Sequence, residues 1–220
     1  MRHQTGEKII ITFVDQNVYK CEIIDIATEG IELSLVEKID IDTELPQHIT
    51  ICSGLIKADK YEWMLQKSTE LGANHFIAAG MKRSVVKLND SKIDKKLERW
   101  QKIIKEAAEQ SYRLAIPSIT YEASLKVVYD YIDEYDYVLI AYENAAKTGE
   151  THNFKSVVRE MKSGDHVLVI FGPEGGLSED EVALFDGKAY QIGLGPRILR
   201  AETAPLYVLS AVSFEKDLLD

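Results

Sequence analysis

The sequence predicts an α/β fold with a mostly parallel sheet, preceded by a small all-β segment. Three observations predict it. The runs "YDYVLIAYE", "DHVLVIFG" and "KAYQIGLG" are continuous and apolar, as parallel strands buried on both faces tend to be. From Ile49 onward such runs alternate with amphipathic helical segments, the pattern that builds a parallel sheet. The first 45 residues carry strand-like runs with no helix between them.

Taken in order, "EKIIITFV" and "NVYKCEIIDIA" are rich in β-branched and aromatic residues, with "DQN" as the turn between them. "GIELSLVEKI" alternates apolar and polar residues as a third strand. "DIDTELPQHIT" holds several turn formers and Pro46, which places a domain boundary there: residues 1–46 form the β segment and residues 47–220 the α/β domain. Three strands cannot close a barrel, and a piece of about 45 residues lies near the lower limit for folding alone. The segment is therefore expected to lean on the larger domain or to lack an N-terminal strand.

"HITICSGLI" then reads as a strand and "ADKYEWMLQKSTELG" as a helix ended by Gly72. "HFIAAGM" is a short strand. A long helix is expected over "SKIDKKLERWQKIIKEAAEQSYRL", with Ile93, Leu97, Trp100, Ile104, Ala107 and Leu114 on one face. The three apolar strands follow, and "SEDEVALF" and "ETAPLYVLSAVSFEKDLL" are helices.

An apolar share of 45% is ample for a core. The chain shows no basic-then-apolar leader, and its apolar runs are too short to span a bilayer. Cys21 and Cys52 each sit inside a strand-like run and read as buried free thiols, which suits a reducing, cytoplasmic setting. The net charge of −10 argues against a general nucleic-acid binder. That charge is uneven: −6 over residues 1–55, +5 over 56–113 and −9 over 114–220. The positive middle third is a candidate face for an anionic ligand, and is equally accounted for as a solvated Lys- and Glu-rich surface.

Two strand ends stand out. In "VLVIFGPEGGLSEDEV", Phe171 ends a buried strand and Ser178 with Glu181 fits a capping box at the next helix start. Gly172, Gly175 and Gly176 between them leave the backbone without side-chain cover, at the sheet edge where α/β folds bind ligands. In "QIGLGPRILRAETAPL", Gly193 and Gly195 again follow a strand, then Arg197, Arg200, Glu202 and Thr203 precede a helix with Pro205 in its first turn. Together the two stretches predict one pocket walled by backbone with charges at its rim. Neither is a phosphate loop or a dinucleotide fingerprint.

Together "KADKYEWMLQKSTELG", "RSVVK", "RWQKIIKEAAEQSYR", "FGPEGGLSEDE" and "GLGPRILRAETAPL" closely resemble the signatures of the RsmE family, in the SPOUT class of RNA methyltransferases. The resemblance covers nearly the whole chain. It implies methylation of N3 of one uridine in 16S ribosomal RNA of the small subunit, with S-adenosylmethionine as methyl donor. It implies a C-terminal trefoil-knotted α/β domain and a homodimer with the active site near the dimer interface. The cofactor would be held by Phe171, Gly172, Glu174, Gly175 and Gly176 of one loop, by Ile192, Leu194, Gly195, Ile198 and Leu199 of the other, and by Thr203 and Ala204. Ile192, Leu194 and Leu199 are candidates to pack around the adenine, and each also fits a plain core position. It further implies that residues 1–46 are a PUA-like β domain for RNA docking, shortened at its N-terminus, since "MRHQTGEKI" resembles the middle of such a domain.

Methyl transfer is an in-line displacement needing nucleophile and methyl held at ~3–3.5 Å. No metal is required, and His48, His75 and His152 are scattered without ligand spacing. Uridine N3 carries a proton, so a general base or anion-stabilising cations must contribute. Glu202 is the candidate base and Arg200 the candidate anion stabiliser. A first-turn carboxylate such as Glu202 also stabilises its helix through the dipole alone. The family match puts Arg83, Lys87 and Arg113 on the RNA-facing side, where they would contact phosphate. Each is also accounted for as a surface cation. Two competing readings are a knotted RNA-binding protein that binds the cofactor but is catalytically impaired, and a nucleotide-binding α/β enzyme of unrelated chemistry.

Overall fold

The computed structural model describes residues 3–88, 90–147, 149–150 and 152–219, so the opening Met1 and Arg2 of "MRHQTGEKI" lie outside the described residues. The chain forms two compact units: Met1–Glu44 with Tyr112–Ala115, and Leu45–Ser111 with Ile116–Asp220.

In the first unit, β1 (Lys8–Thr12), β2 (Val18–Ala27) and β3 (Gly30–Ile39) form an antiparallel sheet in that order. The β1–β2 turn is closed by Asp15, whose carboxylate accepts from the Asn17 N–H at 3.1 Å and from Nδ2 at 2.7 Å, with Gln16 at φ 64°. Short Asx side chains bend the backbone in this way more cheaply than apolar ones. Val18, Cys21 and Ile23 are buried, and both cysteines are free thiols.

A carboxylate completes this unit. Glu44 accepts from Arg113 Nε at 2.9 and 3.0 Å and from Nη2 at 2.5 Å, and from the N–H groups of Leu114 at 2.8 Å and Ala115 at 3.3 Å. Thr43 Oγ1 donates to the Tyr112 carbonyl at 2.8 Å. Two expectations are corrected here. The Arg113 side chain is only 2% exposed, so it is a buried ion-pair member and not a surface contact for phosphate. The long helix stops at Gln110 instead of running to Leu114. Tyr112 takes φ 55°, which no right-handed helix accommodates, and the Leu114 N–H goes to Glu44 instead of a helical carbonyl.

In the second unit, in chain order, come β4 (His48–Gly54), α1 (Ala58–Glu70), β5 (His75–Ala79), α2 (Asp90–Gln110), β6 (Ser118–Glu122) and α3 (Leu125–Asp130). Then follow β7 (Tyr137–Ala141), α4 (Glu143–Lys147), α5 (Asn153–Glu160), β8 (His166–Phe171), α6 (Glu179–Ala183), β9 (Tyr190–Ile192) and α7 (Ala204–Leu218). The six strands make one sheet, ordered β6-β5-β4-β8-β7-β9, and every pairing is parallel. β6 ("SITYE") has no counterpart among the sequence expectations, because this short edge strand is buried at Ile119 alone.

Alternation along the strands explains their unbroken apolar character. Val167, Val169 and Phe171 of β8 face a core built with α1, α2, α5 and α7, through residues such as Tyr61, Ile104, Val157 and Val208. Leu168 and Ile170 face a second core with α3 and α6, through Val128, Val182 and Phe185. Burying side chains of this size contributes ~1.5–3 kcal/mol each. β4, β5 and β7 divide their side chains between the same two cores. Among the described residues no helix is long and apolar enough to cross a membrane.

In the Glu44 clasp, partial burial pushes the carboxyl up, but the Arg113 guanidinium and the Leu114 and Ala115 N–H groups outweigh it and hold it below the usual range. A lowered folded pKa means the stabilisation is complete above the ordinary glutamate value and is lost as pH falls through the folded value. Arg113→Ala is expected to cost about 3 kcal/mol at neutral pH, the low end for a broken buried pair because the two backbone donors remain. Urea unfolding should show the gap between the two proteins narrowing below pH ~4.

Candidate active site

The sheet order changes direction between β4 and β8: β5 and β6 extend one way, β7 and β9 the other. The crevice beyond the carboxyl ends of strands at such a switch is where an α/β sheet admits a ligand. The turns after β8 and β9 both end there.

After β8 the backbone folds back tightly. A Cβ on Gly172 would stand 2.7 Å from the Leu177 nitrogen and 2.8 Å from the Gly176 carbonyl carbon, so a side chain there is sterically forbidden. The Gly176 N–H donates to the Pro173 carbonyl at 2.8 Å. The helix start that the sequence indicates is present: Ser178 Oγ accepts from the Glu181 N–H at 3.3 Å, and Glu181 Oε2 accepts from the Ser178 N–H at 2.8 Å. Arg83 Nη1 donates to the Gly175 carbonyl at 3.3 Å, and Glu174 Oε1 lies 3.4 Å from the Lys57 N–H ahead of α1.

The turn after β9 is held from the other side. Glu150 accepts from the N–H groups of His152 at 2.7 Å, Asn153 at 2.6 Å and Gly193 at 3.1 Å. Asn153 Nδ2 donates to the Gln191 carbonyl at 2.9 Å. Partial burial raises the Glu150 carboxyl, but these three donors outweigh it and keep it low. Gly195 sits at φ 88°, which reverses the chain at little cost only for glycine. The Leu194 and Leu199 N–H groups donate to no other described residue.

Between the two turns lies a cavity of ≈ 630 Å³. Phe171, Gly172, Glu174, Gly175, Gly176, Ile192, Leu194, Gly195, Ile198, Leu199 and Ala204 all line it, as do Arg83, Arg200 and Glu202. Thr203 is not among its described lining residues; its N–H turns back to the Arg200 carbonyl at 2.9 Å. Ile198 lines the cavity while 80% exposed, so it stands at the mouth. Lys87 lines a different cavity, and Arg113 belongs to the first unit.

Glu202 is the buried charge of the site. Its Oε1 lies 3.1 Å from Lys60 Nζ and 3.9 Å from Arg200 Nη1, while Oε2 is buried without a hydrogen-bond partner. Burial pushes its carboxyl up, but its own backbone N–H, Lys60 and Arg200 outweigh that and keep it below the usual range. It is therefore ionised at neutral pH, with one oxygen buried and unpartnered.

The model of the RNA methyltransferase domain family matches residues 43–213. The ribosomal RNA small subunit methyltransferase E of Bacillus subtilis (strain 168) is 45% identical over 220 residues, 100% of this chain and 86% of its own. The chain belongs to this RNA methyltransferase family. The crystal structure of a ribosomal RNA small subunit methyltransferase E from Neisseria gonorrhoeae, bound to S-adenosyl methionine, superposes with a TM-score of 0.79 at 26% identity, over 96% of this chain and 84% of that one. A crystal structure described only as a hypothetical protein gives a TM-score of 0.92 at 43% identity, over 100% of this chain and 87% of that one.

Sequence reasoning missed two site residues. Lys60 lies inside a quoted family signature, yet only the fold brings it to Glu202. Glu150 sits in a polar stretch with no periodicity, and nothing local marks it as the tie between two loops. Glu150→Ala is expected to speed amide hydrogen exchange at Gly193 about five- to tenfold, the worth of one net hydrogen bond. Exchange in the buried strand β8 should stay unchanged.

Proposed function

We propose that this chain methylates N3 of a specific uridine in 16S ribosomal RNA of the small subunit, using S-adenosylmethionine. The observation that carries the reading is the cavity between the two glycine turns, in a chain 45% identical to a small-subunit rRNA methyltransferase. The neighbouring structure bound to S-adenosyl methionine supports the choice of cofactor.

The residues present fit that cofactor. Gly172 lets the loop fold onto its own Gly176–Leu177 backbone, while the Cβ positions of Gly176 and Gly195 face open space that a ligand can approach. Ile192, Leu194 and Leu199 offer an apolar slot for the adenine, with the Leu194 and Leu199 N–H groups as donors to its edge. Phe171, Gly172, Glu174, Gly175, Gly176, Gly195, Ile198 and Ala204 complete the holding set, and Thr203 contributes by shaping the turn into α7. When bound, the cofactor supplies an electrophilic methyl on a sulfonium.

The chain's own task is to present uridine N3 in line and remove its proton. Glu202, ionised and with Oε2 unpartnered, accepts that proton. Arg200 and Lys60 stabilise the negative charge developing on the uracil. The depressed pKa makes Glu202 a weaker base, so the two cations carry a larger share of the barrier reduction. Arg83, at the rim of this cavity, and Lys87, at the neighbouring one, contact RNA phosphate.

The same reading takes residues 1–46 as a PUA-like domain for RNA docking and residues 47–220 as a SPOUT domain with a C-terminal trefoil knot. It takes the protein as a cytoplasmic homodimer that needs no metal. Tyr207, Phe214 and Leu218 stand 39%, 55% and 71% exposed along α7, an apolar stripe suited to a second copy.

Small subunits from cells lacking the modification, incubated with labelled S-adenosylmethionine and this protein, are expected to yield N3-methyluridine on nucleoside mass analysis. Label in another nucleoside, or none while the cofactor binds, overturns the reading. Glu202→Gln is expected to lower kcat by about 10²–10⁴ with cofactor affinity retained; full turnover at neutral pH would remove Glu202 as the base.

A further inference from the structure

A second cavity lies at the ends of β5 and β6. It encloses ≈ 460 Å³, within the range of small-ligand sites. The segment after β5 separates it from the cofactor cavity. Arg83 lines the one, while Lys82 and Ser84 on either side of it line the other. The lining of the second cavity is apolar at Leu55, Met81, Leu125 and Leu184, with Tyr121 as its one aromatic residue among those described. Ser84, only 8% exposed, carries a hydroxyl with no hydrogen-bond partner. That hydroxyl is sealed from solvent, so Ser84 contributes part of the cavity wall and not a donor to its interior.

The charges at this cavity sort clearly. Glu181 is spent on the Lys82 N–H at 2.7 Å and on the Ser178 N–H and hydroxyl. Asp180 is neutralised by Lys82 Nζ at 2.5 Å. Lys87 and Lys126 are exposed and have no ion-pair partner among the described residues. The cavity thus combines an apolar slot with an aromatic wall and two uncommitted cations at its rim. That combination suits a flat base carrying a phosphate, the way single-stranded RNA is held when its bases are splayed out.

We propose that this cavity receives a nucleotide of the substrate RNA neighbouring the methylated uridine. Its base enters the apolar slot beside Tyr121, and its phosphate meets Lys87 and Lys126. An RNA strand crossing the Arg83 segment then places one nucleotide on each side of it, which orients the uridine and reads its context. This rests on the rRNA methyltransferase reading above.

The test titrates a short fluorescein-labelled oligouridylate into the full chain and into Lys126→Ala and Ser84→Phe proteins. S-Adenosylhomocysteine thermal shifts and labelled-methyl transfer to small subunits run alongside. Lys126→Ala is expected to raise the oligonucleotide Kd several-fold and to flatten its log–log salt slope by about 0.7, one single-strand phosphate contact. Ser84→Phe, which fills the slot, should also weaken binding, and the cofactor shift should match wild type in both. An oligonucleotide carrying 4-thiouridine should photo-crosslink within residues 121–126. Unchanged Kd and slope in Lys126→Ala, with wild-type methyl transfer intact, overturns the second site and leaves the activity standing. Uridine monophosphate binding as tightly as the oligonucleotide overturns the RNA assignment in favour of a free nucleotide. Absence of methyl transfer by wild type, with Lys126-dependent RNA binding retained, removes the parent reading instead.

Discussion

The site depends on how closely the backbone can turn back on itself beyond β8. That strand is central in the sheet, paired with β4 on one side and β7 on the other, and its side chains are locked into cores on both faces. Its carboxyl end therefore cannot shift. The next residue must let the Leu177 nitrogen come within a distance that excludes any Cβ, and Gly172 alone meets that demand. Six residues on, the Ser178–Glu181 capping box fixes the start of α6. Pinned at both ends, the intervening loop presents backbone to the cavity with little conformational entropy left to lose on binding.

The opposite wall is held by charge. Glu150 gathers three N–H groups from two separate segments, and its lowered pKa is the electrostatic signature of that gathering. Glu202 differs in kind. Only one of its oxygens is engaged, and Lys60 at 3.1 Å is a closer and better shielded partner than Arg200 at 3.9 Å, whose side chain is 76% exposed. A buried carboxylate with an idle oxygen is a poor structural element, since its desolvation is only partly offset. It makes sense beside a ligand that brings a proton or a donor.

Two cavities lie on the two sides of one short segment. Arg83 reaches the Gly175 carbonyl and lines the cavity between the glycine turns, while its neighbours Lys82 and Ser84 line the second cavity. Glu181 braces both, capping α6 and holding the Lys82 N–H with its other oxygen.

The sequence by itself determined the strand–helix alternation, the two glycine turns, the capping box and the residues around them, because each is written in local pattern. Continuous apolar runs demand burial on both faces, and glycines at a strand end demand close approach, wherever the chain later travels. Periodicity could not say where the long helix stops, since Tyr112 and Leu114 leave it for contacts made by Thr43 and Glu44, 69 and 70 positions away. Nor could it tell Arg113 from a surface cation: its environment is set by a carboxylate distant in sequence. Lys60, Glu150 and the Ser84 cavity were invisible for the same reason. Burial, ion pairing and the faces of a shared wall are properties of distance in space, and only the tertiary structure decided them.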